Sequence, residues 1–144
     1  MIGIISDTHE NEGAIKKAVE IFKQKNVEFV VHCGDIISPP MLEHFKVLKM
    51  KFVFGNNDGE RNGLNNKAKE FGWEEITDEK EFEYKTKKFY VYHGTKKERL
   101  DAAIKSNKYK YVLTGHTHIK GDERIGKTRI INPKIIRQSY FVIR

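Results

Sequence analysis

Five times along this chain a short apolar run ends in a small polar cluster, and that recurrence constrains the fold more than any other feature. Ile2–Ser6 runs into Asp7-Thr8-His9, Val27–Cys33 into Gly34-Asp35, and Lys51–Phe54 into Gly55-Asn56-Asn57-Asp58. Farther on, Phe89–Tyr92 runs into His93-Gly94, and Tyr111–Thr114 into Gly115-His116-Thr117-His118. Short apolar runs bounded by turn residues predict buried strands. Helical patterns separate the first three. From Asn11 to Lys25 the apolar residues Ala14, Ile15, Ala18, Val19 and Phe22 share one face. From Pro39 to Lys49 so do Met41, Leu42, Phe45 and Leu48, with proline tolerated in a first helical turn. Strands alternating with helices imply right-handed crossovers and a mainly parallel sheet. Such sheets gather ligands outside the carboxyl ends of their strands, where all five clusters fall.

The second half is patterned differently. Glu81–Lys85 alternates strictly, and Lys87-Lys88 leads into Phe89–Tyr92, which predicts an antiparallel hairpin with one wet face. A helix is expected over Lys97–Ser106, with short strands around Glu123–Ile125, Arg129–Ile131 and Tyr140–Ile143. Crossovers followed by hairpins predict two packed sheets with helices outside. One domain spanning residues 1–144 is expected, since the length suits a single core.

Composition narrows the function classes. Cys33 is the one cysteine, which excludes an intrachain disulfide and a thiolate zinc cage. No apolar run approaches the ~18 residues of a membrane span, and the first residues lack the features of a signal peptide. A soluble cytoplasmic protein with no membrane partner is the expectation. The net charge is +7, and five of those charges accrue in residues 120–144. Such a segment can attract phosphates or simply be a solvated surface.

Taken singly, the clusters have ordinary readings: Asp7 or Thr8 as a helix cap, Gly34-Asp35 and residues 55–59 as turn composition, His93 as a hydrogen-bonded strand-end residue. Taken together they form a ligand set. His9, His93, His116, His118, Asp7, Asp35 and Asn56 are seven donors, too many for one ion and natural for two that share a carboxylate. Imidazole and carboxylate suit manganese, nickel, iron, cobalt or zinc. Two ions ~3.5–4 Å apart can hold a hydroxide between them and clamp phosphoryl oxygens.

The ordered series Asp-x-His, Gly-Asp, Gly-Asn-x-Asp, His-Gly and Gly-His-x-His resembles the calcineurin-like metallophosphoesterases, over roughly Ile2 to Pro133. Ser6-Asp7-Thr8-His9 in so short a chain is similar to the small phosphodiesterases of bacteria and archaea. The resemblance implies an α/β fold: a four-layer αββα sandwich of two mixed sheets flanked by helices. It implies two divalent transition-metal ions, manganese foremost. One would be held by Asp7, His9, Asp35 and His118, the other by Asp35, Asn56, His93 and His116. It puts Asn57 and Asp58 in catalytic positions, and Asn56 and Asn57 against the substrate, a small phosphate ester.

Three positions depart from the family pattern. Asn57 stands where many relatives carry a phosphate-contacting histidine, and an amide delivers no proton at neutral pH. That predicts a preference for aryl or otherwise activated diesters. Thr95 replaces the second histidine of His-Gly-His, and Lys134-Ile135-Ile136-Arg137 replaces Gly-Ser after Asn132-Pro133. Two alternatives stand beside the enzyme: a non-catalytic binding module on the same fold, and a nuclease. The complete ligand set disfavours the module. The lack of an aromatic-studded basic groove disfavours nucleic acid. Homo-oligomerisation is left open. Cys33 and His32 are expected in the core, His44 on the surface, and Trp73 as a core anchor.

Overall fold

The computed structural model describes residues 1–133 and 141–144. The chain order is β1 (Ile2–Ile5), α1 (Glu12–Gln24), β2 (Phe29–His32), a 3-10 helix (Pro39–Phe45), β3 (Met50–Phe52) and α2 (Arg61–Glu70). There follow β4 (Glu79–Tyr84), β5 (Lys87–Tyr92), α3 (Lys97–Lys105), β6 (Tyr111–Leu113), β7 (Gly121–Ile125), β8 (Thr128–Asn132) and β9 (Phe141–Ile143). One sheet has the order β3-β2-β1-β9, the other β4-β5-β6-β8-β7. Both are mixed. The β1–β2, β2–β3, β5–β6 and β6–β8 pairs are parallel, while β1–β9, β4–β5 and β7–β8 are antiparallel.

Strand alternation builds the four layers. Ile2 and Ile4 of β1, Val31 and Cys33 at β2, Phe89 and Val91 of β5, and Tyr111 and Leu113 of β6 form one buried cluster between the sheets. The residues between them face outward. Ile5, Val30 and Phe52 pack beneath α1, the 3-10 helix and α2 through Ile15, Phe22, Leu42, Phe45 and Leu64. Tyr90, Tyr92 and Val112 pack beneath Leu100, Ala103 and Ile104 of α3. A period of two is what lets each sheet bury both faces. Gly3 shows how close α1 lies: a Cβ there would stand 2.5 Å from Phe22 Cε1. The αββα arrangement expected of the family is therefore present.

Local departures have local causes. The segment expected as a helix from Pro39 is a 3-10 helix of seven residues, opening on Pro39-Pro40. Neither proline can donate to an intrahelical ladder, and short 3-10 turns are frequent connectors. The hairpin reverses at Lys85-Thr86, and Lys87-Lys88 already lie in β5. Both turn residues have positive φ, 48° and 63°, as a two-residue type I′ turn requires. Cys33 and His32 are buried as expected. Trp73 packs against the α1–α2 core and donates its indole N–H to Leu48 O at 3.2 Å. His44 is half-buried rather than exposed, with Nε2 2.9 Å from Glu12 Oε1. The expected changes after Pro133 fall at 134–137, outside the described residues. Among the described residues no helix is long and apolar enough to cross a membrane.

Candidate metal centre

The five polar clusters meet at one end of the sandwich. Asp7 and His9 follow β1, Asp35 follows β2, Asn56 follows β3, His93 follows β5, and His116 and His118 follow β6. The strands differ by sheet, so four of the seven residues come from one sheet and three from the other. Asp7, His9 and His118 bring ligand atoms within 4.8 Å of one another, and so do Asp7, Asp35 and His93. Asn56 joins the remaining histidines, its Oδ1 lying 3.1 Å from both His93 Nε2 and His116 Nδ1. Every predicted ligand is thus at the cluster.

The backbone turns sharply to achieve this. Asp7, His9, Asp35, His116 and His118 all have positive φ, between 48° and 68°. Aspartate and histidine enter this left-handed region more readily than most residues, yet each instance still costs roughly 1–3 kcal/mol. Two glycines let neighbouring loops close in. A Cβ on Gly55 would collide with Asp35 Oδ1, and one on Gly115 would stand 2.6 Å from Asp7 Oδ2.

The donor chemistry calls for a cation. His93 places Nδ1 2.8 Å from the carbonyl of Cys33, and only an N–H can face that oxygen. Neutral His93 therefore turns a bare Nε2 lone pair inward. That lone pair faces Asn56 Oδ1 at 3.1 Å, Asp35 Oδ2 at 3.4 Å and Asp7 Oδ1 at 3.8 Å. Four acceptors face one another, and only a proton or a metal ion relieves them. The titration of His93 shows the same pressure: burial lowers its pKa, but the Asp35 carboxylate outweighs that and holds it above the usual histidine value. Asp35 is held well below the carboxylate range; burial opposes this, and the neighbouring His93 with the hydrogen bonds from Asn57 overcomes it. His9 Nε2 is buried with no hydrogen-bond partner, 3.8 Å from Asp35 Oδ2. His118 Nε2 lies 3.2 Å from Asp7 Oδ1. These residues fit divalent metal ions.

A further layer of contacts holds these side chains. Asp58, expected as a catalytic group, is buried 3% exposed and faces away from solvent. Its Oδ2 accepts from the amides of Asp35 (2.9 Å) and Gly55 (2.7 Å), and its Oδ1 from that of Ile37 (2.7 Å). It thereby pins the loops after β2 and β3 together, at an Ile37 whose φ is 81°, a strained value for a β-branched residue. Asn57 is exposed, but its backbone N–H and its Nδ2 donate to the two oxygens of Asp35 at 2.9 and 2.8 Å. Ser6 Oγ donates to Asp7 Oδ2 at 2.5 Å.

Sequence reasoning missed two supports. Asn132 Nδ2 donates to Gly115 O (2.9 Å) and Thr117 Oγ1 (3.0 Å), tying down the loop that carries His116 and His118. The polar residue and proline that end the apolar β8 were the available signal. His32 accepts from the amide of Gly34 through Nδ1 and meets Thr8 Oγ1 at 2.9 Å through Nε2. It links the loops after β1 and β2, a role its place inside an apolar strand concealed.

A fold of two mixed sheets with a histidine–carboxylate centre at the strand ends defines a class of metal-dependent hydrolases. A model of the calcineurin-like phosphoesterase superfamily domain matches residues 1–139, and the chain belongs to that superfamily. Phosphodiesterase MJ0936 of Methanocaldococcus jannaschii is 42% identical to it over 135 residues, 92% of this chain and 81% of that protein. A solved archaeal phosphodiesterase superposes with a TM-score of 0.88 at 40% identity, over 92% of this chain and 82% of its own. Yfce, a phosphoesterase from E. coli, shares the fold at a TM-score of 0.73 and 18% identity, over 92% and 78% of the two chains. The chain is accordingly a phosphoesterase, of a family that works with divalent metal ions.

Proposed function

We propose that this phosphoesterase is a phosphodiesterase carrying two divalent ions, manganese foremost. Asp7, His9, Asp35 and His118 would hold one ion, and Asp35, Asn56, His93 and His116 the other, with Asp35 shared. The observation that carries the reading is the placement of His93, whose Nδ1 is committed to the Cys33 carbonyl and whose Nε2 faces three oxygens at 3.1, 3.4 and 3.8 Å. The 42% identical phosphodiesterase supports the diester class. When bound, paired ions neutralise phosphoryl charge and acidify water into a nucleophile at neutral pH.

The residues of the chain supply the rest. The Cys33 carbonyl fixes the His93 tautomer, the usual way an outer partner orients a ligating imidazole. Asn57 holds the Asp35 carboxylate from its exposed side and stands where it can donate to a phosphoryl oxygen. Carrying no titratable proton, it leaves the departing oxygen to leave as an anion. Aryl diesters, whose leaving groups are stable anions, are therefore the preferred substrates. Asp58 acts by positioning, since both its oxygens are occupied by amides.

The test is hydrolysis of bis-p-nitrophenyl phosphate and p-nitrophenyl phosphate with manganese, nickel, zinc or magnesium, in the wild type and Asp35→Ala. Metal content is measured alongside. The expected result is two ions per chain and diester hydrolysis in the wild type, both lost in the variant. Equal activity in the two proteins sinks the shared-carboxylate centre.

A further inference from the structure

A groove of about 360 Å³ opens directly beside the proposed centre, and nothing in the reaction above uses most of it. Asn56 forms one end of it, and Lys96, Arg99, Arg61, Asp78 and Tyr92 line the remainder. Its charge is uneven. Arg61 donates to Asp78 at 2.8 Å, which neutralises that side. Lys96 and Arg99 have no such carboxylate within 4.0 Å among the described residues. Both are exposed, and both neighbour Tyr92. The Lys96 amide donates to Tyr92 Oη at 3.0 Å, and the Arg99 guanidinium lies over the Tyr92 ring at 5.6 Å from its centre. Tyr92 itself is buried, so the Arg99 guanidinium rests on a rigid ring and the Lys96 backbone on a fixed hydroxyl.

We infer that this groove takes the spectator arm of the diester, and that Lys96 and Arg99 select an arm bearing a second anionic phosphoryl group. The inference rests on the phosphodiesterase reading and adds the substrate class to it. Three considerations carry it. The groove is continuous with Asn56, so a diester whose phosphorus sits at the centre has one ester arm directed along it. A single diester carries one negative charge, which the centre itself would match; two further unmatched cations call for a further anion on the same molecule. A guanidinium pre-positioned on a ring binds phosphate oxygens strongly, and a neighbouring ammonium adds a point charge. The volume suits one small arm and not a polymer, which places mononucleotide-sized substrates above nucleic acid.

The substrates that separate the outcomes differ by one group. p-Nitrophenyl thymidine 5′-phosphate and its 3′-phosphorylated counterpart release the same chromophore from the same diester. In the metal-loaded wild type the 3′-phosphorylated ester is expected to have the higher kcat/KM by about tenfold or more, carried mainly by KM. In the Lys96→Gln/Arg99→Gln double variant the ratio between the two esters is expected to approach one. A second readout needs no turnover: metal-free wild type should bind thymidine 3′,5′-bisphosphate about tenfold tighter than the double variant does, by calorimetry. Equal kcat/KM for the two esters in a wild type that hydrolyses bis-p-nitrophenyl phosphate overturns the groove and leaves the phosphodiesterase intact. Failure to hydrolyse any diester overturns both.

Discussion

At the scale of single residues the centre is defined by what each donor is prevented from doing. His93 cannot turn its Nε2 away, because Nδ1–H is committed to Cys33 O. Asp35 cannot rotate freely, because Asn57 holds both its oxygens. The same Asn57 limits the chemistry. Replacing it with histidine restores a group able to protonate a leaving oxygen, and general acid help is typically worth ~10²–10⁴-fold. Asn57→His should therefore raise hydrolysis of alkyl diesters by at least roughly 10² while changing aryl diesters far less; an unchanged aryl-to-alkyl ratio refutes the assignment. His32 offers a second test. Burial pushes its pKa down to about 3 from the usual 6.5. Between those values the unfolded chain binds a proton there that the folded chain refuses, so stability is present above pH 6.5 and lost as the pH falls. The loss is about 1.4 kcal/mol per unit, or about 2 kcal/mol at pH 5. Urea unfolding of the metal-free protein between pH 7.5 and 5 should fall more steeply for wild type than for His32→Gln, by about that amount. The proposed ligands were legible in the sequence because each lies in the short polar cluster that closes an apolar run. Asp58 was legible as part of the set but not in its role. Spacing shows that a carboxylate is near, and only the fold shows that three amides point at it.

At the scale of elements, legibility followed periodicity. α1 was plain from its apolar stripe, capped by Asn11, whose Oδ1 accepts from Ala14 N at 3.0 Å. α2 was not: it buries only Leu64 and Ala68 and carries Gly63, Asn65 and Asn66, poor helix formers. It exists because the outer face of β2 and β3 needs a cover, a tertiary demand no local pattern records. Asn65 even serves that packing, exchanging hydrogen bonds with the backbone of Ile76. The loop after β6 holds two proposed ligands but has little packing of its own, and Asn132 is its tether. Asn132→Ala should weaken metal binding by roughly 10–100-fold, as removal of outer partners generally does, with little change in folded secondary structure. Competitive chelator titration reads the first quantity and circular dichroism the second. Unchanged affinity would show that the loop stands without its tether.

On the scale of the whole molecule, pairing was the least legible property. The pattern around residues 141–143 announced a strand but not its neighbour, which is β1. The order of strands depends on which apolar faces match across the chain, and single-strand patterns do not contain that. Charge was also only partly readable. The excess in residues 120–144 suggested a phosphate-seeking tail, yet Arg129 there is bidentate to Asp122 at 2.8 and 2.9 Å. Among the described residues, Lys96 and Arg99 line the groove beside the proposed centre without a carboxylate partner, in a stretch the charge count did not single out. One property emerges only from the assembly. The proposed ligands are divided between the two sheets, and the residues furthest apart, Asp7 and His118, lie more than a hundred positions apart. A bound ion would then be a cross-link in a chain that has no disulfide to make one. Joining points that distant removes about 4–5 kcal/mol of loop entropy from the unfolded chain when a covalent bridge does it. Loading with manganese should accordingly raise the unfolding temperature and slow amide exchange in both sheets together. Protection confined to one sheet would mean that the ion rests on the sandwich without fastening it. Fastened, the chain would have its catalyst and its rivet in one place, and chelation would loosen the architecture as it silenced the chemistry.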